Sequence, residues 1–201
     1  MRVTKEQAAE TRKALIDAGL NMFSEKGFAT TRIEDIVQFA GLTRGAFYWH
    51  FKNKLELYCA VYQEGMMYLN TRLQNAIDRN KTALENIRTA LSFIGSDIND
   101  DEYIGRMSKL QYTIEWTPEV RERVVFLEHE MLLPFRILFF DLIEQGKTSG
   151  DIKKQIDTEV IFKTIITLLI GMSNLRHEKH YPLESHDIDP IINIFIEGIK
   201  N

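Results

Sequence analysis

The stretch Leu42-Thr43-Arg44-Gly45-Ala46-Phe47-Tyr48-Trp49-His50-Phe51-Lys52-Asn53-Lys54 constrains the chain more than any other. It gathers three basic residues, an imidazole and four aromatic rings into little more than three helical turns. Just upstream, Thr31 and Glu34 have capping-box spacing, and the apolar run Ile33, Ile36, Val37 follows them. That pattern predicts a short helix ending at Ala40-Gly41, where Gly41 can adopt the left-handed conformation of a tight turn. Thr43 is then placed to cap a second short helix running to about His50. Helix, glycine turn and helix follow in the order of a helix-turn-helix.

In that plan the second helix enters the major groove of DNA. Ala46 and Phe47, with Ile36 and Val37 behind them, can fill the small core between the helices. Arg44, Tyr48 and Lys52 recur at four-residue spacing, which on a helix is one side. Arg44 can reach guanine edges or phosphates, and Thr43, Tyr48, His50 and Lys54 carry donors suited to phosphate oxygens. Gly45 removes a side chain where the backbone must come close to the duplex. Thr31, Arg32, Trp49 and Lys52 complete the candidate DNA-binding set. An ordinary amphipathic helix would account for any one of these residues; the capped constellation points to a duplex.

The fragment Thr43 to Lys54, with Thr11-Arg12, Phe23, Gly27, Phe28, Thr30 and Thr31 before it, resembles the DNA-binding domain of the TetR family of bacterial repressors. It is similar to the form found in that family's multidrug-efflux regulators. The resemblance covers residues 4–62, and the remainder shares only length and helical pattern with the family. It implies a homodimer that binds operator DNA and is released by a small lipophilic effector, with control of an efflux or transport gene as one outcome. The alternatives are a helical protein of the same fold that acts through a protein partner, and a regulator with no small-molecule effector.

A formal net charge of −4 is unusual for a DNA binder until the chain is divided. Residues 1–60 hold nine Lys/Arg against seven Asp/Glu, and the rest holds sixteen against twenty-two. Phosphate attraction is screened within about 10 Å at moderate salt, so local placement outweighs the total. The single cysteine, Cys59, cannot form an internal disulfide, and with Tyr58 and Ala60-Val61 beside it reads as a buried thiol. The first residues carry no apolar leader, and the longest apolar run, 160–175, is short and interrupted by Lys163, Thr164 and Asn174. A cytoplasmic protein with no membrane partner is expected.

The fold expected is all-α: a three-helix helix-turn-helix domain over 1–52, joined by a long helix to a larger ligand-binding and dimerisation domain over 53–201. Helix 5–26 carries the stripe Leu15, Ala18, Met22 and ends at Gly27. Asn53 and Glu56 open the long helix, and Thr82 and Glu85 the next. Thr117-Pro118 starts a helix that should kink or break at Pro134 and stop at Gly146. The last two helices should span 158–178 and 190–200, the second capped by Asp189.

Those terminal helices are apolar on more than one side, so a partner subunit is expected to cover Ile161, Ile165, Leu168, Leu169, Ile192, Phe195 and Ile199. The middle of the chain is rich in pliable and aromatic residues. Tyr62, Met66, Phe93, Met107, Gln111, Glu115, Trp116, Met131, Phe135 and Met172 form the candidate ligand-binding set, although most would serve equally as plain core. Glu115 and Glu130 could neutralise a cationic guest. No nucleophile elbow, dinucleotide glycine signature or phosphate loop occurs; His177 and His180 could share a helix face, but no cysteine is near and the acidic residues around them form no recognisable metal-ligand pattern. No catalytic residue, metal or cofactor is expected. An effector would act by tilting the long helix that begins at Lys54.

Overall fold

The computed structural model describes residues 4–96, 101–114, 117–176 and 178–201; at residues 96, 111–113, 119, 125, 126, 128 and 129 only the backbone is described. Among the described residues the chain forms α1 (Lys5–Lys26), α2 (Ile33–Phe39), α3 (Arg44–His50), α4 (Lys54–Ala76), α5 (Ala83–Ser96), α6 (Glu102–Thr113), α7 (Pro118–Ser149), α8 (Thr158–Arg176) and α9 (Ser185–Ile199), and no strand. The all-helical architecture is the one expected. The chain divides into two compact units: residues to Met67 with Tyr103–Met131, and Tyr68–Glu102 with Leu132–Asn201. The division falls inside α4 and α7, so both helices contribute to both units, whereas the sequence reading drew its boundary at 52/53.

Local chemistry sets the helix ends of the first unit. Thr4 Oγ1 accepts the Gln7 N–H at 3.2 Å and Gln7 Oε1 accepts the Thr4 N–H at 3.1 Å, a reciprocal box that opens α1. Gly27, at φ 84°, ends it. The expected box before α2 is displaced by one residue: Asp35 Oδ2 accepts the Arg32 N–H at 3.1 Å, and Thr31 is not the cap. Thr31 turns inward instead, its hydroxyl bonded to Gly27 O at 2.7 Å and Met22 O at 3.2 Å. Gly41, at φ 66°, makes the turn, with the Leu42 N–H on Val37 O at 2.8 Å.

The core of this unit joins the rings of Phe23, Phe28 and Tyr58, with centroids 5.3–5.7 Å apart. Buried rings of this kind contribute about 1.5–3 kcal/mol each. At Gly19 a Cβ would stand 3.1 Å from Leu57 and Val61, so α1 and α4 lie close because that side chain is absent. Leu110 of α6, Ile114 just after it, and Val120 and Val124 of α7 extend the same core.

In the second unit α5 packs on α8 and α9. Two sequence expectations fail here, the stop at Gly146 and the start of the last helix at Pro190, for visible reasons. Helix α7 continues through Pro134; the carbonyl that Pro134 leaves without a donor is that of Glu130, an exposed residue where water can serve it. It also passes Gly146, where a Cβ would lie 2.5 Å from Ile152 Cδ1, and ends before Gly150 at φ 89°. The glycine expected to stop the helix is a packing glycine. Helix α9 opens at Ser185, before Pro190, with the Glu184 N–H bonded to Asp187 Oδ2 at 3.0 Å.

The terminal helices also bury differently from expectation. Ile161, Ile165, Ile192, Phe195 and Ile199 are at most 7% exposed within the single chain, so these residues are its own core and not a dimer surface. Leu168 and Leu169 are half-buried. Among the described residues, the apolar ones left outside on these helices include Leu132, Leu133 and Ile137 on α7, Val160, Ile170 and Leu175 on α8, and Ile194 on α9. By length and composition alone α8 is long and apolar enough to cross a bilayer. Its Ile161, Phe162, Ile165 and Met172 are instead packed into the second unit.

Candidate nucleic-acid interface

Helix α3 is seven residues long and is held at both ends. Thr43 Oγ1 accepts the Ala46 N–H at 3.2 Å, leaving the hydroxyl proton free to donate outward. Phe47 is fully buried and anchors the helix, with Tyr48 edge-on to its ring at 5.4 Å. That anchoring turns Thr43, Arg44, Gly45, Tyr48 and Trp49 outward. Trp49 is 68% exposed, unusual for so large a ring unless a partner covers it. A Cβ at Gly45 would meet nothing of the chain nearer than Thr43 Oγ1 at 3.7 Å. The packing of the chain itself therefore does not require glycine there.

Electrostatics select among the cations. Arg44 is paired with Glu34 at 2.9 Å and lies 5.9 Å from the Tyr48 ring centre. Hydrogen bonding to Tyr48 and the Glu34 charge raise its pKa, so the exposed guanidinium stays a cation. Arg32 and Lys52 are exposed. Lys52 does not continue the Arg44–Tyr48 row, because α3 ends at His50 and Phe51 is extended. Its N–H is bonded to Glu56 Oε2 at 2.7 Å. His50 is half-buried beside Trp49, and burial, then the Arg12 charge, lower its pKa.

Two members of the expected set are not at the surface for DNA. Thr31 is 1% exposed and fully engaged with the end of α1. Lys54 directs its ammonium into the chain, onto Phe28 O at 2.5 Å, Thr31 O at 2.8 Å and Ala29 O at 3.2 Å, with the Phe28 ring centre 4.5 Å away. Partial burial lowers its pKa, and three carbonyls replace the lost water. It fastens the start of α4 to the loop before α2. Sequence reasoning missed Phe39, 56% exposed at the end of α2, and the Glu34 partner of Arg44. The three-residue offset of Phe39 from buried Ile36 marked it as a core position, so no signal set it apart.

The candidate ligand residues are divided between the units. Tyr62, Met66, Met107 and Met131 belong to the first, where Met107 packs against Gly65 and Tyr62 is buried. Phe93, Phe135 and Met172 are buried in the second, with the Arg72 guanidinium over the Phe93 ring at 5.6 Å. The Gln111 side chain, Glu115 and Trp116 lie outside the described residues. Glu130 is exposed.

Residues 15–61 match the model of a family described as bacterial regulatory proteins, tetR family. Over 62 residues the chain is 44% identical to the HTH-type transcriptional regulator AcrR of Shigella flexneri, a match covering 31% of this chain and 29% of that protein. It is 27% identical to the HTH-type transcriptional repressor BepR of Brucella suis, over 100% of this chain and 97% of that protein. The crystal structure of the transcriptional regulator FadR from Bacillus subtilis in complex with stearoyl-CoA superposes with a TM-score of 0.75 at 22% identity, covering 93% of this chain and 98% of that one. That likeness is one of fold.

Proposed function

We infer that this chain, whose N-terminal segment is a DNA-binding domain of the tetR family, is a ligand-responsive transcriptional repressor that binds operator DNA as a dimer and yields it to a small lipophilic effector. The observation that carries the reading is the outward face of α3, where Arg44, Gly45, Tyr48 and Trp49 stand on a helix anchored by Phe47 and capped by Thr43. Exposed aromatic rings beside a chargeable fork and a bare glycine suit a phosphate backbone and groove edges. Thr43, Arg32 and Lys52 supply phosphate donors; Thr31 and Lys54 support the fold behind them.

Dimerisation is assigned to the apolar residues left outside on α7, α8 and α9, with Ile194 (76% exposed) and Ile170 (55% exposed) foremost. Exposed apolar surface of this kind marks an interaction face. The effector acts by binding the DNA-incompetent conformation better than the competent one. Helices α4 and α7 have residues in both units and are the covalent routes for that coupling. The resemblance of the Thr43–Lys54 segment to efflux regulators makes an efflux or transport gene the expected target, in a cytoplasmic setting. Footprinting on the DNA flanking the protein's own gene, with and without lipophilic compounds, tests the reading. Protection of no site there, or protection unaffected by every compound that binds, overturns the operator or the effector half respectively.

A further inference from the structure

Among the described residues, buried side-chain polar atoms without a hydrogen-bond partner occur at two residues: Asn70, through Oδ1, and Arg176, through both Nη1 and Nη2. The second is the costlier, since a guanidinium removed from water needs acceptors that can hold its charge. Its arrangement is also inverted. Long cations ordinarily lay the stem on apolar surface and keep the head in water. In Arg176 the residue remains partly accessible while its terminal nitrogens are shielded.

The position of Arg176 in the fold is at the end of an apolar stripe. Ile161, Ile165 and Met172 form the buried stripe of α8, and Arg176 occupies the next turn of that stripe. Around Gly95 of α5, Met172 Cε, Ile188 Cγ2 and Ile192 Cδ1 approach to 3.8, 2.9 and 3.9 Å of where a Cβ would sit, so the stripe faces α5 and α9. The adjacent Leu175 carbonyl already accepts from Glu178 at 3.2 Å and Leu183 at 3.0 Å. Burial pushes the guanidinium pKa below the ordinary arginine value, and an oxyanion within bonding distance would reverse that.

We propose that Arg176 anchors an oxyanion in the second unit, the carboxylate or phosphate head of an amphipathic effector whose tail lies among the apolar side chains of α5, α8 and α9. This rests on the repressor reading for its regulatory meaning and narrows the effector class to anions. The cationic guest suggested by acidic residues in the sequence is replaced by its opposite. Guanidinium suits this task because its planar fork meets carboxylate or phosphate oxygens in pairs. Flexible Met172, one turn earlier, is the side chain best able to move aside for the tail.

Thermal unfolding of the full chain with four dodecyl compounds of one tail length tests the proposal: dodecanoate, dodecyl phosphate, dodecanol and dodecylammonium, each below its micellar concentration. Dodecanoate or dodecyl phosphate should raise the melting temperature by roughly 5 °C or more at a hundred times its dissociation constant. Whichever of the two gives the larger rise identifies the head group. Equal rises with the alcohol or the ammonium compound overturn the proposal, without recourse to any variant. Arg176→Met should melt higher than the wild type without ligand, because an unpaired buried charge is gone, and should lose the anion-specific rise. An undiminished rise in that variant also overturns it. If Arg176→Met does not fold, Arg176→Lys, which keeps the charge but not the fork, should show a reduced rise. Operator binding measured in parallel separates the two readings: an anion-specific rise in a protein that binds no operator leaves the Arg176 site standing and removes the repressor.

Discussion

Lys54→Met is the perturbation that most sharply separates the structure from the residue pattern. The pattern makes Lys54 a phosphate contact; the structure gives its three donors to Phe28 O, Ala29 O and Thr31 O. Methionine keeps the stem and removes the ammonium. A hydrogen bond from a charged group contributes about 1.5–3 kcal/mol where it is buried and less where water competes. Three such bonds at a half-buried site therefore contribute roughly 2–3 kcal/mol together. For a chain of this size that lowers the melting temperature by roughly 4–12 °C. The loss falls on the loop that seats α2, so operator affinity should drop at temperatures where the loop loosens. The number of phosphates neutralised should not change. Circular dichroism melts and a salt series of operator binding, both in the same buffer, check this. A variant that melts like the wild type while the salt slope falls by about one would show that Lys54 neutralises a phosphate and refute the reasoning.

Three further outcomes are expected. Glu34→Gln should tighten operator binding up to roughly 5-fold at low salt, because it frees Arg44 and removes a carboxylate facing phosphates; fluorescence anisotropy reads it. Ile194→Asp should give a folded monomer by sedimentation, whereas Ile165→Asp, placing a charge at a position with no exposure, should fail to fold. Asp35, Glu85 and Glu159 have folded pKa values held below the ordinary carboxylate range, by the Arg32 backbone N–H, the Thr82 backbone N–H and the Arg136 side chain respectively. A depressed folded value favours the native state above the unfolded pKa and loses that stability as pH falls through the folded one. Melting temperature should therefore decline on acidification through and below that range, and Glu159→Gln should flatten the decline.

The helix-turn-helix was legible because its signals are local. Gly41 must supply a positive φ, Thr43 must cap, and Phe47 must be buried, all within a dozen residues. The inward bonds of Lys54 were not legible because its partners lie 23–26 residues away, and no spacing rule reaches a carbonyl across a loop. Thr31 failed for a related reason: a hydroxyl at a helix start can cap the next helix or close the previous one, and only packing decides. Ile165 and Phe195 show the limit of apolar periodicity. A stripe wide enough for two faces tells that both are covered, but not which is covered by the chain's own helices. Gly146 could stop a helix or admit Ile152, and the sequence favoured the commoner use. Arg176 gave no signal at all, since an arginine at the end of a helix ordinarily complements the carbonyl dipoles there.

The central claim is recognition of a particular duplex by the face of α3. Its most direct measurement is the equilibrium binding of the full-length protein to a footprinted site from its own upstream region, set against a scrambled duplex, across a salt series. The account predicts site binding at least about a thousandfold tighter than scrambled binding, a steep negative slope of log affinity against log salt, and loss of that discrimination in Arg44→Ala. Equal affinity for both duplexes, or a salt slope near zero, would contradict it.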